Sequence, residues 1–169
     1  MFRSGNFASL LGVFLIPSFL FGQGPYWGTT ASGGTGGVGT IYSLTEGNIF
    51  TTKHNFVRYD GGGPKGEVVK ASNGLYYGVT EFGGTEGVGV LFSYNPANGA
   101  FAVLRNFSAT LSSTAAGARP IRGPVIGANG RLYGTCSQGG LNNVGTMWEY
   151  NISTSTFTKK FDFDASPTG

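Results

Sequence analysis

The sequence predicts an all-β protein built as an array of repeated units, and three observations carry that reading. Glycine is very abundant, 31 of 169 residues, while charged residues make up only 11%; long solvated helices need charge and avoid glycine, whereas short strands joined by tight turns do not. Hydrophobic residues reach 40% and aromatics 14%, enough for the core of one domain-sized chain. The third observation is repetition: "PYWGTTASGGTGGVGTIYSL" from Pro25, "LYYGVTEFGGTEGVGVLFSY" from Leu75 and "RLYGTCSQGGLNNVGTMWEY" from Arg131 say nearly the same thing.

The chain opens with "MFRSGNFAS", then the apolar run "LLGVFLIPSFLF", then the small or polar "GQG". That order is that of a secretory leader over residues 1–22, cleaved after Gly22 or, with Pro25 then following closely, near Gly24. The run is too short to span a membrane and contains Pro17. Export is the expectation, leaving residues 23–169 as one repeat domain.

With Gly28, Gly78 and Gly134 as reference points, the copies lie 50 and 56 residues apart. An aromatic precedes each reference glycine (Trp27, Tyr77, Tyr133), and a Gly-Gly pair follows it. Val-Gly comes next, at Gly39, Gly89 and Gly145, then an aromatic at Tyr42, Phe92 and Trp148. Each copy closes on two phenylalanines six residues apart: Phe50 and Phe56, Phe101 and Phe107, Phe157 and Phe163. Alternation around each reference glycine predicts two strands joined by a Gly-rich hairpin loop, and each phenylalanine pair marks a third. Six being even, both members of a pair are expected on one face of that strand. Ahead of the later copies, "GEVVKASNG" and "GPVIGANG" predict one more strand each, ending in the Asn-Gly hairpin signal.

Four antiparallel strands in about 50 residues is the pattern of a β-propeller blade, kelch-like in length. The units fall at about 24–66, 67–122 and 123–169. One blade cannot bury its own faces, so the aromatics are expected between neighbours. Three blades are fewer than the four to eight of a closed ring, the first lacks its opening strand and the last stops at "FDFDASPTG". An incomplete ring is therefore expected, completed by further blades or by self-association.

These residues resemble the Gloeobacter/Verrucomicrobia, or GloVer, tandem repeat. Its pattern is carried by "LYGTCSQGGLNNVGTMWEY" and "YYGVTEFGGTEGVGVLF", with "HNF", "RNF" and "FDF" supplying the later part. The resemblance implies a secreted or cell-surface bacterial protein and no established catalytic activity. Members of that family often carry a sorting or anchoring segment at the far C-terminus, and none is expected within residues 1–169.

Other motifs are weaker. "GTGGVG", Gly34 to Gly39, fits a dinucleotide fingerprint with Asp60 downstream, but the strand-like "TIYSL" follows it where a helix would have to receive the pyrophosphate. His54 is the sole histidine and aligns with Arg105 and Phe161, a strand position tolerant of very different residues. Cys136, the sole cysteine, aligns with Thr30 and Thr80 and is expected to be a small buried strand residue. No metal-ligand spacing, recurring carboxylate pair or triad appears, so no catalytic residue, metal or cofactor is assigned. A net charge of +3 without a basic cluster argues against nucleic acid. Tyr26, Tyr59 and Tyr76 are candidates for stacking on a ligand, and the loops 81–88 and 137–143 and "SATLSSTAAGARPIRG" vary between copies, as binding loops do.

The reading is thus a non-enzymatic exported module that binds a glycan or surface protein, or serves as pure architecture. The alternative is the N-terminal part of a secreted propeller hydrolase or lyase whose active site needs further blades.

Overall fold

The computed structural model describes residues 24–112 and 115–164, and the expected leader falls outside them. All regular structure among the described residues is strand, in three antiparallel sheets, none closed into a barrel. Blade 1 runs β1 (Tyr26–Thr30), β2 (Thr40–Leu44), β3 (Phe50–Asn55). In blade 2, β6 (Tyr76–Phe82), β7 (Val90–Tyr94) and β8 (Phe101–Asn106) lie side by side, and both β4 (Gly62–Pro64) and β5 (Val69–Lys70) pair with β6. Blade 3 repeats this with β9 (Ala118–Pro120) and β10 (Val125–Ile126) beside β11 (Leu132–Gln138), then β12 (Thr146–Asn151) and β13 (Thr156–Asp162). The arrangement is an incomplete propeller-like array.

The inner strand differs from the single apolar run expected. It comes in two short pieces, and its first piece, "GGP" or "ARP", lies upstream of the run singled out in sequence. Gly63 and Arg119 sit at the same place with φ of 55° and 53°, and each is followed by a proline. A left-handed residue followed by one that lacks an N–H turns the chain off the ladder, which resumes at β5 or β10. The Asn-Gly turns form as expected: Ala71 N–H donates to Leu75 O at 3.0 Å around Asn73-Gly74, and Gly127 N–H donates to Arg131 O at 2.9 Å around Asn129-Gly130.

The reference glycines have a steric reason. A Cβ on Gly28 would lie 2.6 Å from the Tyr42 hydroxyl, one on Gly78 2.4 Å from the Phe92 ring, and one on Gly134 2.2 Å from the Trp148 indole. In each blade the glycine faces the aromatic directly across the ladder (Gly28 and Tyr42, Gly78 and Phe92, Gly134 and Trp148), so the ring lies flat over bare backbone.

Each phenylalanine pair does not share a face. A β-bulge interrupts the register at Ile41/Tyr42, at Leu91/Phe92 and at Met147/Trp148, giving the phenylalanine strand one extra residue opposite each. One extra residue inverts the alternation, so an even spacing ends on opposite faces. Phe101 accordingly meets Phe56 of blade 1 at 5.6 Å, whereas Phe107 meets Trp148 and Phe157 of blade 3 at 5.7 and 5.9 Å.

Both cores are therefore junctions between blades. The first joins Val38, Ile41 and Phe56 of blade 1 to Tyr76, Phe92 and Tyr94 of blade 2. The second joins Tyr77, Leu91 and Phe107 of blade 2 to Leu132, Trp148 and Tyr150 of blade 3. Backbone ties run in parallel with them. Gly63 N–H donates to Val38 O at 2.8 Å, and Arg119 N–H to Val88 O at 2.9 Å. Pro64 and Pro120 cover Gly39 and Gly89, where a Cβ would come within 2.7 and 2.9 Å of the proline ring.

Candidate functional site

At one edge of the array stand the Gly-rich loops, and what holds them is the residue just before the second phenylalanine of each pair. The Asn55 side-chain oxygen accepts from Thr35 N–H at 3.0 Å and that of Asn106 from Thr85 N–H at 2.9 Å. Asp162 accepts from Leu141 N–H at 3.3 Å. The phenylalanine N–H then locks the loop's far end: Phe56 to Gly39 O, Phe107 to Gly89 O and Phe163 to Gly145 O, each at 3.0 Å. The loop from Gly34 to Gly39 thus runs into strand β2, and the fingerprint-like glycines build a hairpin rather than a phosphate cradle.

The residues that follow depart from the repeat at the first junction. Asp60 accepts Val57 N–H at 2.8 Å with one oxygen and meets His54 Nε2 at 3.1 Å with the other. Asp60 and Gly61 N–H both donate to Val57 O at 3.0 Å, closing a tight turn over 57–61. Arg58 O accepts Gly84 N–H at 2.9 Å, seating this turn on the Gly-rich loop of blade 2. Tyr59, at its tip, is 89% exposed. Arg58, Tyr59, Phe82, Gly83, Gly84 and Gly87 line a groove of about 330 Å³. Its Phe82 wall is fixed, because the ring lies over Gly62 and Gly63, where any Cβ would come within 2.5 Å of it.

Beside the groove, Glu81 pairs with Lys65 at 2.9 Å and stands 4.0 Å from Arg119 of blade 3. Arg119 holds its left-handed backbone conformation here without being glycine. The cluster is polar and mixed in charge, with no nucleophile or paired acids aimed at a common point. Among the described residues no group of three or more His, Cys, Asp or Glu side chains is placed to hold a metal ion. No helix among them is long and apolar enough to cross a membrane.

The three tyrosines picked from sequence go to three different places. Tyr59 stands at the groove. Tyr76 is buried and stacks on Trp27 at 4.5 Å, so its face is occupied by the junction between blades 1 and 2. Tyr26, its counterpart in blade 1, is 65% exposed on that blade's outer face. Sequence reasoning missed Arg58 and Phe82. The available signal was misalignment: the counterparts of Phe82 are Ser32 and Gln138, and those of Arg58 and Tyr59 in the next copy are Ala109 and Thr110.

His54 and Cys136 have structural roles. The His54 ring lies parallel to Phe101 with centroids 4.0 Å apart and edge-on to Phe56. Burial lowers its pKa, against the pull of Asp60, so the ring is held toward its neutral form. Cys136 is buried, its Sγ facing Ala116 O at 3.8 Å, and desolvation pushes its pKa to about 12, far from a reactive thiolate.

The repeated geometry agrees with the sequence comparison. The model of the Gloeobacter/Verrucomicrobia repeat matches residues 17–169. The chain belongs to this repeat family. No curated protein matches it at a significant level. The Gloeobacter/Verrucomicrobia repeat pattern now has physical content in this chain. Its glycine after the aromatic admits the ring from the neighbouring strand, and its threonine accepts a backbone N–H from the start of that strand, Thr30 from Thr40 and Thr80 from Val90 at 3.1 Å each. The Asn or Asp before its last phenylalanine caps the Gly-rich loop. The GloVer repeat is thus a recipe for a blade and its junctions, and Arg58, Tyr59 and Phe82 are additions to it.

Proposed function

We propose that the chain is an exported, non-enzymatic repeat module that binds a glycan at the groove between blades 1 and 2. One observation carries the reading: Tyr59 stands 89% exposed at the tip of a turn that Asp60 and Gly84 hold in place, beside Phe82 and Arg58. An exposed aromatic ring presents an apolar face to the C–H face of a pyranose, and a guanidinium donates to hydroxyls or a carboxylate. No part of the second junction's counterpart sequence offers the same set, so the groove is a local addition to a repeating scaffold. The leader-like segment at residues 1–22 supports the extracellular setting in which such a ligand is met.

The test is binding of the purified chain to an array of neutral and uronic-acid-containing glycans, with Tyr59→Ala and Arg58→Ala beside it. The expected outcome is selective binding that falls about tenfold or more in Tyr59→Ala, with an unchanged melting temperature. A flat response across all sugars, or binding indifferent to Tyr59, rejects the glycan reading.

A further inference from the structure

The two ends of the array present unfinished copies of the junctions inside it. Blade 1 turns outward Tyr26, Tyr42 and Phe50, the positions that blade 2 presents to blade 1 as Tyr76, Phe92 and Phe101. Phe50 is 54% exposed and stacks only on Tyr42, at 4.9 Å, among the ring contacts of the described residues. At the other end blade 3 presents Val144, Met147 and Phe161, whose counterparts Val38 and Ile41 are buried and His54 half-buried against the next blade. Phe161 is 56% exposed.

We propose that these two faces are a head and a tail that bind each other between two copies of the chain, closing a ring of six blades. The fit is written in the internal junctions. At the position of Phe161, His54 stacks on Phe101 at 4.0 Å in the first junction, and Arg105 lies over Phe157 at 5.1 Å in the second. Phe101 and Phe157 are the counterparts of Phe50. Across the proposed contact Phe161 of one copy therefore stacks on Phe50 of the other. Phe163 takes the place of Phe56 and Phe107, which meet Phe92 and Trp148 at 5.2 and 5.7 Å, and faces Tyr42. The occupant is a blade of this kind because the positions, not merely their apolarity, repeat. Two copies of the three described blades make six, a number within the four to eight blades of propellers. Head-to-tail contacts close into a ring when the rotation allows it and otherwise run on as filaments.

Sedimentation velocity over a range of concentrations tests this with the whole chain and three variants. The wild type is expected at twice the chain mass. Phe50→Glu and Phe161→Glu should each weaken association about thirtyfold or more, because a carboxylate replaces a ring at the centre of the contact. Phe161→Arg should keep the dimer, since Arg105 already fills this place over Phe157. Circular dichroism, and melting at a dilution where the wild type too is monomeric, are expected to match wild type, as both residues are more than half exposed. A wild type monomeric at every concentration overturns the proposal, as does a dimer that survives both glutamate variants. Glycan binding at Tyr59 is read separately, so each idea fails on its own result.

Discussion

The junction between blades 1 and 2 and that between blades 2 and 3 bury the same positions and decorate their edges differently. At the centre they match ring for ring: Phe56 against Phe92 and Phe101, Phe107 against Trp148 and Phe157. At the rim they part. The first junction is crossed by a short turn, 57–61, carrying Arg58 and Tyr59, while at the second the chain departs at Ser108 and returns at Gly117, where Ser108 N–H donates to Gly117 O at 2.8 Å. Packing is repeated because each blade must satisfy its neighbour, and connections are free to differ because they satisfy only solvent or a ligand.

The largest effects should come from cutting the shared centre. Phe56→Ala and Phe107→Ala each remove a fully buried ring, a loss of about 3–5 kcal/mol, whereas Phe50→Ala on the outer face should cost less than about 1 kcal/mol when compared in the monomer at high dilution. In an array stabilised by nearest neighbours the two losses should also be local. Hydrogen exchange should show Phe56→Ala exposing β1 to β3 first, and Phe107→Ala exposing β11 to β13 first. Uniform opening of all three blades in both variants would mean that the array unfolds as one unit.

Next come the loop caps, which both junctions share. Asn55→Ala and Asn106→Ala should each destabilise by about 0.5–1.5 kcal/mol by handing an exposed loop N–H over to water, with Asn106→Asp much milder because Asp162 does the same task in blade 3. Urea denaturation with unchanged slope measures this. An alanine variant as stable as the aspartate one would remove the cap from the explanation of the motif.

What the sequence made legible follows the same division. The blade count, the Gly-rich hairpins and the aromatic partners could be found because each is a local pattern present three times. The parity of each phenylalanine pair could not, since counting residues assumes an unbroken ladder and the bulge at Ile41/Tyr42 leaves no residue signature of its own. Nor could the split inner strand, because Gly63 and Arg119 share a backbone conformation but no side-chain chemistry. The groove was half visible: Tyr59 is among the tyrosines picked from sequence, but no local pattern tells that the Phe82 ring lies over Gly62 and Gly63.

The smallest expected effect separates the two junctions by pH. His54 and Arg105 occupy one position, but only the histidine titrates near neutrality. Burial holds the folded His54 pKa below its ordinary value of 6.5, so the unfolded chain binds the proton more readily. The stabilisation is complete above that value and is lost as pH falls from it through the lower folded pKa, with the loss limited by Asp60, which favours the charged ring. Glu149 acts in a lower window: the Tyr133 hydroxyl and Arg131 hold its pKa below the usual 4.5, so its contribution is lost only as pH falls below that value. Arginine in place of His54 stays charged throughout and has a precedent over Phe157. His54→Arg should therefore flatten the melting temperature profile between about pH 7.5 and pH 5.5 and leave the steeper acid limb untouched. Parallel profiles for wild type and variant would place the titrating group elsewhere and make the first junction as indifferent to pH as the second.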